Sequence, residues 1–138
     1  MLTKTSLIIP AWNAELTIED CLLSAIKANL TPNEIIVVDD VSTDTTVNII
    51  NKLAKEYSII KLIKLDKNVG PAAARDYGAK IASGDIIFFT DSDTLILENT
   101  FINCLNTMAE YKADAVSGIY HPEPINKGAA QLYKALFF

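Results

Sequence analysis

The chain has 138 residues, half of them apolar and 21% charged, with a net charge of −5. At that length one globular domain spanning 1–138 is expected, with a core that needs no disulfide or metal to hold it. The acidic balance argues against nucleic acid or anionic lipid as partners, and no apolar run approaches the ~20 residues of a membrane span.

Met1-Leu2-Thr3-Lys4 lead into no long apolar segment, so no signal peptide is expected and a cytoplasmic address is the default. Ser6 to Pro10, with Leu7-Ile8-Ile9 inside it, reads as a short buried strand. Residues 14–28 carry Ile18, Leu22, Ala25 and Ile26 at helical spacing. Thr31-Pro32-Asn33 is a turn. Glu34 to Asp39 reads as the second strand, and Ser42 or Thr43 is placed to cap a helix with Ile50, Leu53, Ala54 and Tyr57 on one face. Ile59 to Leu65 alternates imperfectly, as an edge strand does.

Asn68-Val69-Gly70 breaks the chain, and Pro71 suits the first turn of a helix. That helix is expected to run to about Ser83, with Ala74, Tyr77, Gly78 and Ile81 on one face, and to stop at Gly84. Asp85 to Thr90 is a fourth strand. Phe101, Cys104, Leu105 and Met108 form another helical stripe, Ala113 to Ile119 a fifth strand, and Asn126 onward a last helix. Leu132 to Phe138 end in mid-pattern without Gly, Pro or a polar stop, so the chain reads as the front part of a longer protein. Strands alternating with helices imply βαβ units, a mainly parallel sheet and right-handed crossovers.

The chemistry concentrates at strand ends. The apolar run Ile86 to Phe89 delivers Asp91-Ser92-Asp93. In an extended segment residues i and i+2 point the same way, so Asp91 and Asp93 can both face a hard cation such as Mg²⁺ or Mn²⁺, with phosphates completing its ligands. A second run, Ile35 to Val38, ends in Asp39-Asp40. Asp39 can accept from a base ring N–H, while Asp40 can cap the next helix. Asp44 reads as a first-turn helix charge. Arg75 is the only arginine, and beside the N–H groups of a Pro-led helix it suits an anion. The alternative is an ion pair with Asp76 or a strand-end acid. Trp12, the only tryptophan, follows the first strand and offers a stacking face. Cys21 and Cys104 read as reduced core residues. His121, before Pro122, reads as a surface loop residue.

Five stretches together, Leu7 to Asn13, Ile36 to Asp44, Asn68 to Gly78, Ala82-Ser83-Gly84-Asp85 and Asp91-Ser92-Asp93, resemble family 2 glycosyltransferases of the GT-A fold. The resemblance covers residues 5 to about 120. It implies a Rossmann-like α/β/α sandwich and an inverting, metal-assisted transfer from a UDP-, GDP- or dTDP-sugar to a saccharide, lipid or protein acceptor. It assigns Pro10 and Trp12 to the base pocket, Trp12 standing where Tyr is usual. Asp39 matches the acid that reads the base and Arg75 a basic residue near the nucleotide. Asp91 and Asp93 match the acids that hold Mn²⁺ or Mg²⁺ on the diphosphate, and Ser92 lies beside the nucleotide between them. Ala14 precedes Glu15 where the family often carries Glu directly, and Thr94 follows Asp93 where a further acid is frequent. The resemblance also implies that the acceptor half, the catalytic base and any membrane attachment lie beyond residue 138.

Two rivals accompany this reading. A haloacid-dehalogenase-like phosphotransferase also carries an aspartate pair after an apolar strand, but Thr94 comes one position early for that pattern. A non-catalytic nucleotide-sugar-binding module is the second. A dinucleotide-binding enzyme is disfavoured, because no GxGxxG or GxxxxGK[ST] occurs.

Overall fold

A computed structural model describes residues 3–120 and 134–137. In chain order the elements are β1 (Thr5–Ala11), α1 (Ile18–Lys27), β2 (Glu34–Asp39), α2 (Thr46–Glu56), β3 (Ile60–Lys64), α3 (Pro71–Ile81), β4 (Ile86–Phe89), β5 (Thr94–Ile96), α4 (Thr100–Tyr111), β6 (Ile119–Tyr120) and β7 (Lys134–Phe137). The chain divides into two compact units, residues 1–19 with 32–92 and residues 20–31 with 93–138.

The first unit holds a four-stranded, all-parallel sheet in the order β3-β2-β1-β4. Its alternation of strands with helices is the Rossmann-like α/β pattern expected from the sequence. Every residue of β1 and β2 is buried, as near-continuous apolar runs in central parallel strands require. β3 lies at an edge and keeps two exposed lysines, which fits its broken alternation. One face of the sheet packs Ile8, Ile36 and Val38 against Ala74 of α3. Gly78 brings α3 close: a Cβ there would lie 2.5 Å from the Cγ2 of Ile8 and 3.2 Å from that of Val38. Tyr77 and Ile81, expected on the same face as Ala74 and Gly78, are exposed. The contact is made through the small side of α3, so Ala74 and Gly78 are its buried residues.

The lower ends of the strands are locked by Glu34, which is 4% exposed. Its carboxylate accepts from the Ser6 hydroxyl (2.7 Å), the Ser83 N–H (2.6 Å) and hydroxyl (2.8 Å), and the Lys61 ammonium (2.5 Å). These donors come from the starts of β1 and β3 and from the turn before β4. Burial alone would raise the Glu34 carboxyl, but Lys61, Ser6 and Ser83 outweigh it and pull the group down to about 2.

The second unit contains a sheet in the order β5-β7-β6, with β5 and β7 parallel and β6 antiparallel to β7. The Ser24 hydroxyl accepts the Ile96 N–H at 2.9 Å, tying residues 20–31 to β5. Three expectations change here. The strand expected over 113–119 is only Ile119–Tyr120, and β5 forms where none was expected. The helix expected from Asn126 has a strand at 134–137, because Lys134-Ala135-Leu136-Phe137 meets strand partners on both sides and local periodicity yields to pairing. Residues 126–133, and His121 with its expected surface position, lie outside the described residues. Both cysteines are buried thiols, and burial pushes that of Cys104 up.

Candidate functional site

Four segments of the first unit follow the carboxyl ends of β1, β2, β3 and β4, the rim where such sheets bind ligands. Alternation explains how the β4 segment leaves. The Ile8 carbonyl accepts the Thr90 N–H (3.2 Å), and the next donor on that side of β1 would belong to Pro10, which has none. The ladder therefore ends, and the chain departs carrying Asp91. Pro10, expected to line the base pocket, is buried inside β1 in register with Val38.

Asp39 closes β2 and is 1% exposed. Its Oδ2 accepts the Ser42 N–H at 3.2 Å, while its Oδ1 is buried without a hydrogen-bond partner. An orphaned buried carboxylate oxygen costs on the order of 1–3 kcal/mol unless something donates to it. Asp40 does not cap α2. Its two oxygens accept the N–H groups of Val69 and Gly70, both at 2.8 Å, and its carbonyl accepts from the Asn68 amide at 3.0 Å. Asp40 thus supplies the negative charge at the approach to α3, where an external anion was expected. Gly70, at φ +83°, makes the turn that this clamp requires.

The loops after β1 and β2 are laced together. The Asp40 N–H donates to the Ala11 carbonyl (2.8 Å), the Asn13 N–H to the Ser42 hydroxyl (2.9 Å) and the Thr43 N–H to the Asn13 amide oxygen (2.8 Å). Glu15, assigned no role from sequence, accepts from the N–H (3.0 Å) and hydroxyl (2.7 Å) of Thr45, which stands at the N-cap position of α2, where Ser42 or Thr43 was expected, without making a side-chain capping bond. Asp44 accepts from the N–H groups of Thr46 and Glu15. Burial alone would raise the Asp44 carboxyl, and these donors hold it below its ordinary value. The polar residues Asn13 and Glu15 facing the short polar run Ser42 to Thr46 were the available signal for this lacing. Val41 lies in the left-handed region at φ +65°, where a β-branched residue costs on the order of 1–2 kcal/mol.

Trp12 is 59% exposed, so it is not a core plug. Arg75 pairs with Asp91 through its Nη2 and the Asp91 Oδ1, while Asp76 pairs with Lys80 at 2.6 Å. Trp12, Asp39, Arg75, Asp91 and Ser92 therefore belong to one unit, at or beside one rim. Asp93 opens the other unit. The chain turns at Ser92-Asp93, so the extended-strand argument for the Asp91/Asp93 pair does not apply. Among the described residues no group of three or more His, Cys, Asp or Glu gathers to hold a metal. Two carboxylates are hard donors that suit Mg²⁺ or Mn²⁺ when diphosphate and water supply the rest.

Residues 6–135 match the family described as glycosyl transferase family 2. The chain belongs to this family. An uncharacterized glycosyltransferase of Haemophilus influenzae is 36% identical over 115 residues, covering 83% of this chain and 46% of the relative. A structure of Staphylococcus aureus TarS 1–349 in complex with UDP-GlcNAc matches with a TM-score of 0.72 at 32% identity, covering 91% of this chain and 38% of that one. The mannosyltransferase PcManGT of Pyrobaculum calidifontis, in complex with GDP-Man and Mn²⁺, matches with a TM-score of 0.80 at 27% identity, covering 87% and 36%. This family 2 chain thus spans less than half the length of these relatives, and its fold is that of the GT-A neighbours. Membership does not favour the haloacid-dehalogenase alternative. No helix among the described residues is long and apolar enough to cross a membrane.

Proposed function

We propose that residues 1–138 form the nucleotide-sugar-binding portion of a glycosyltransferase that transfers a sugar, with inversion, from a nucleoside-diphosphate donor to an acceptor. The single observation that carries this reading is Asp39: a buried carboxylate with one oxygen unpartnered, at a strand end where a ligand donor would meet it. A base ring N–H is such a donor, and its selection by a buried acceptor is strong because the wrong partner leaves that oxygen unpaired. Exposed Trp12 offers a stacking face for the same base. Arg75 holds Asp91 in place and offers its remaining N–H groups to phosphate.

Asp91 and Asp93 would hold Mg²⁺ or Mn²⁺ on the diphosphate. The bound cation would neutralise charge that builds on the departing phosphate. The acceptor hydroxyl gives its proton to a carboxylate as it attacks the sugar; we assign that base to no described residue. UDP-GlcNAc and GDP-Man in the neighbouring structures support a nucleotide-sugar partner for this chain, and Mn²⁺ supports a divalent cofactor.

Calorimetric titration with UDP and GDP, with and without Mn²⁺, tests the reading. Binding is expected for at least one nucleotide, weakened about tenfold or more by Asp39→Asn. Asp93→Ala is expected to abolish the metal-dependent part. Absence of binding by the parent chain, or unchanged affinity in both variants, refutes the assignment. Binding without transfer to any acceptor favours the binding-module alternative.

A further inference from the structure

The strongest local violation of backbone preference in the first unit is Val41. Its φ of +65° suits glycine or asparagine, and Asn13 at +47° is a residue that tolerates it. Valine does not, since its branched Cβ crowds the backbone. The bond that closes the turn does not involve the Val41 side chain: the Ser42 N–H folds back onto the Asp39 carboxylate across Asp40 and Val41. Glycine would make this turn without strain, so the valine side chain is the part left to explain.

Its position supplies the explanation. Two of the hydrogen bonds that lace the β1 and β2 loops run from the Asp40 N–H to the Ala11 carbonyl and from the Asn13 N–H to the Ser42 hydroxyl. Trp12 lies between Ala11 and Asn13, the two partners on the β1 side. Val41 lies between Asp40 and Ser42, the two partners on the β2 side. The two are therefore neighbours at the rim, bracketed by the same bonds, and both are large apolar residues left in water, at 59% and 37% exposure. Val69, also exposed, is tied beside them through its N–H on Asp40.

We propose that Val41 is a specificity-determining residue, whose isopropyl group forms with Trp12 the apolar wall against which the nucleoside of the donor lies. The inference rests on the nucleotide-binding reading above. It goes further by assigning the strain at Val41 to ligand contact. A strained residue kept at a binding rim gives up stability for a contact made only when the ligand is present.

Thermal melts and nucleotide titrations of the chain carrying Val41→Gly and Val41→Ala test this. Val41→Gly is expected to raise the melting temperature by about 2–5 °C through relief of strain. It is also expected to weaken UDP or GDP about fivefold, with UMP or GMP weakened by the same factor because the contact is with the nucleoside. Val41→Ala is expected to lose affinity comparably while keeping much of the strain. Failure of the parent chain to bind any of these nucleotides would sink the site reading itself. Binding by the parent with unchanged affinity in both variants overturns the role of Val41 alone, as does a Val41→Gly melt no higher than the parent's, or a loss confined to the diphosphates.

Discussion

Replacing Glu34 by Gln keeps the side chain's shape and removes its charge, at the point where the starts of three strands are tied. The carboxylate is 4% exposed and accepts from Ser6, Ser83 and Lys61. Its folded value of about 2 against an ordinary 4.5 corresponds to about 3 kcal/mol of stability at neutral pH. The sign follows from the direction. The folded value is depressed, so this stability is fully present above about 4.5 and lost as pH falls towards 2. Glu34→Gln is therefore expected to lower unfolding stability by about 2–3 kcal/mol at pH 7, with the gap to the parent closing between about pH 4.5 and 2. The Lys61 side chain is 56% exposed, so salt should remove only part of the effect. Lys61→Met should move the acid loss to higher pH by weakening the pull on Glu34. Urea denaturation at a series of pH values reads all of this. A gap between parent and Glu34→Gln that stays constant from pH 7 to pH 2.5, or no gap at pH 7, refutes the reasoning.

Further outcomes follow from particular contacts. Gly78→Ala drives a methyl into Ile8 and Val38 and should cost about 1–3 kcal/mol, partly recovered by Ile8→Leu, which removes the offending Cγ2; denaturant melts check it. Asp40→Ala leaves the Val69 and Gly70 N–H groups without their acceptor. It should cost about 1–3 kcal/mol and weaken nucleotide binding as the approach to α3 loosens, read by melts and titration together. Arg75→Met removes a half-exposed ion pair with Asp91. Stability should change by no more than about 1 kcal/mol while affinity for UDP or GDP falls, so a large change in melt with intact binding would contradict its role at the nucleotide.

How much was legible in the sequence depended on how local each signal was. β2 was read to the residue, because a four-residue apolar run, Ile35 to Val38, flanked by Glu34 and Asp39-Asp40 admits few other registers. Trp12, Asp39 and Asp91 were legible as strand-end residues because each closes an apolar strand or follows it within two residues. Which residues of the Ala74, Tyr77, Gly78 and Ile81 face would be buried was not legible, because α3 meets the sheet through its smallest residues and periodicity does not rank side chains by size. β5 and β7 escaped because three- and four-residue strands take their identity from partners distant in the chain. The lacing by Asn13, Ser42 and Glu15 escaped for a related reason: any polar loop residue is compatible with water until its partner is known.

Composition and pattern alone determined the fold class, the order of the first elements and the strand ends where acids and aromatics collect. These follow from hydrophobic period and chain order, which are properties of neighbouring residues. Tertiary structure decided which acid does what. Asp40 was turned inward to hold a loop, one oxygen of Asp39 was left waiting, Arg75 was given to Asp91, and Val41 was held in a conformation its side chain opposes. Each of those outcomes depends on which distant groups arrive within hydrogen-bonding reach, and only the folded chain brings them there.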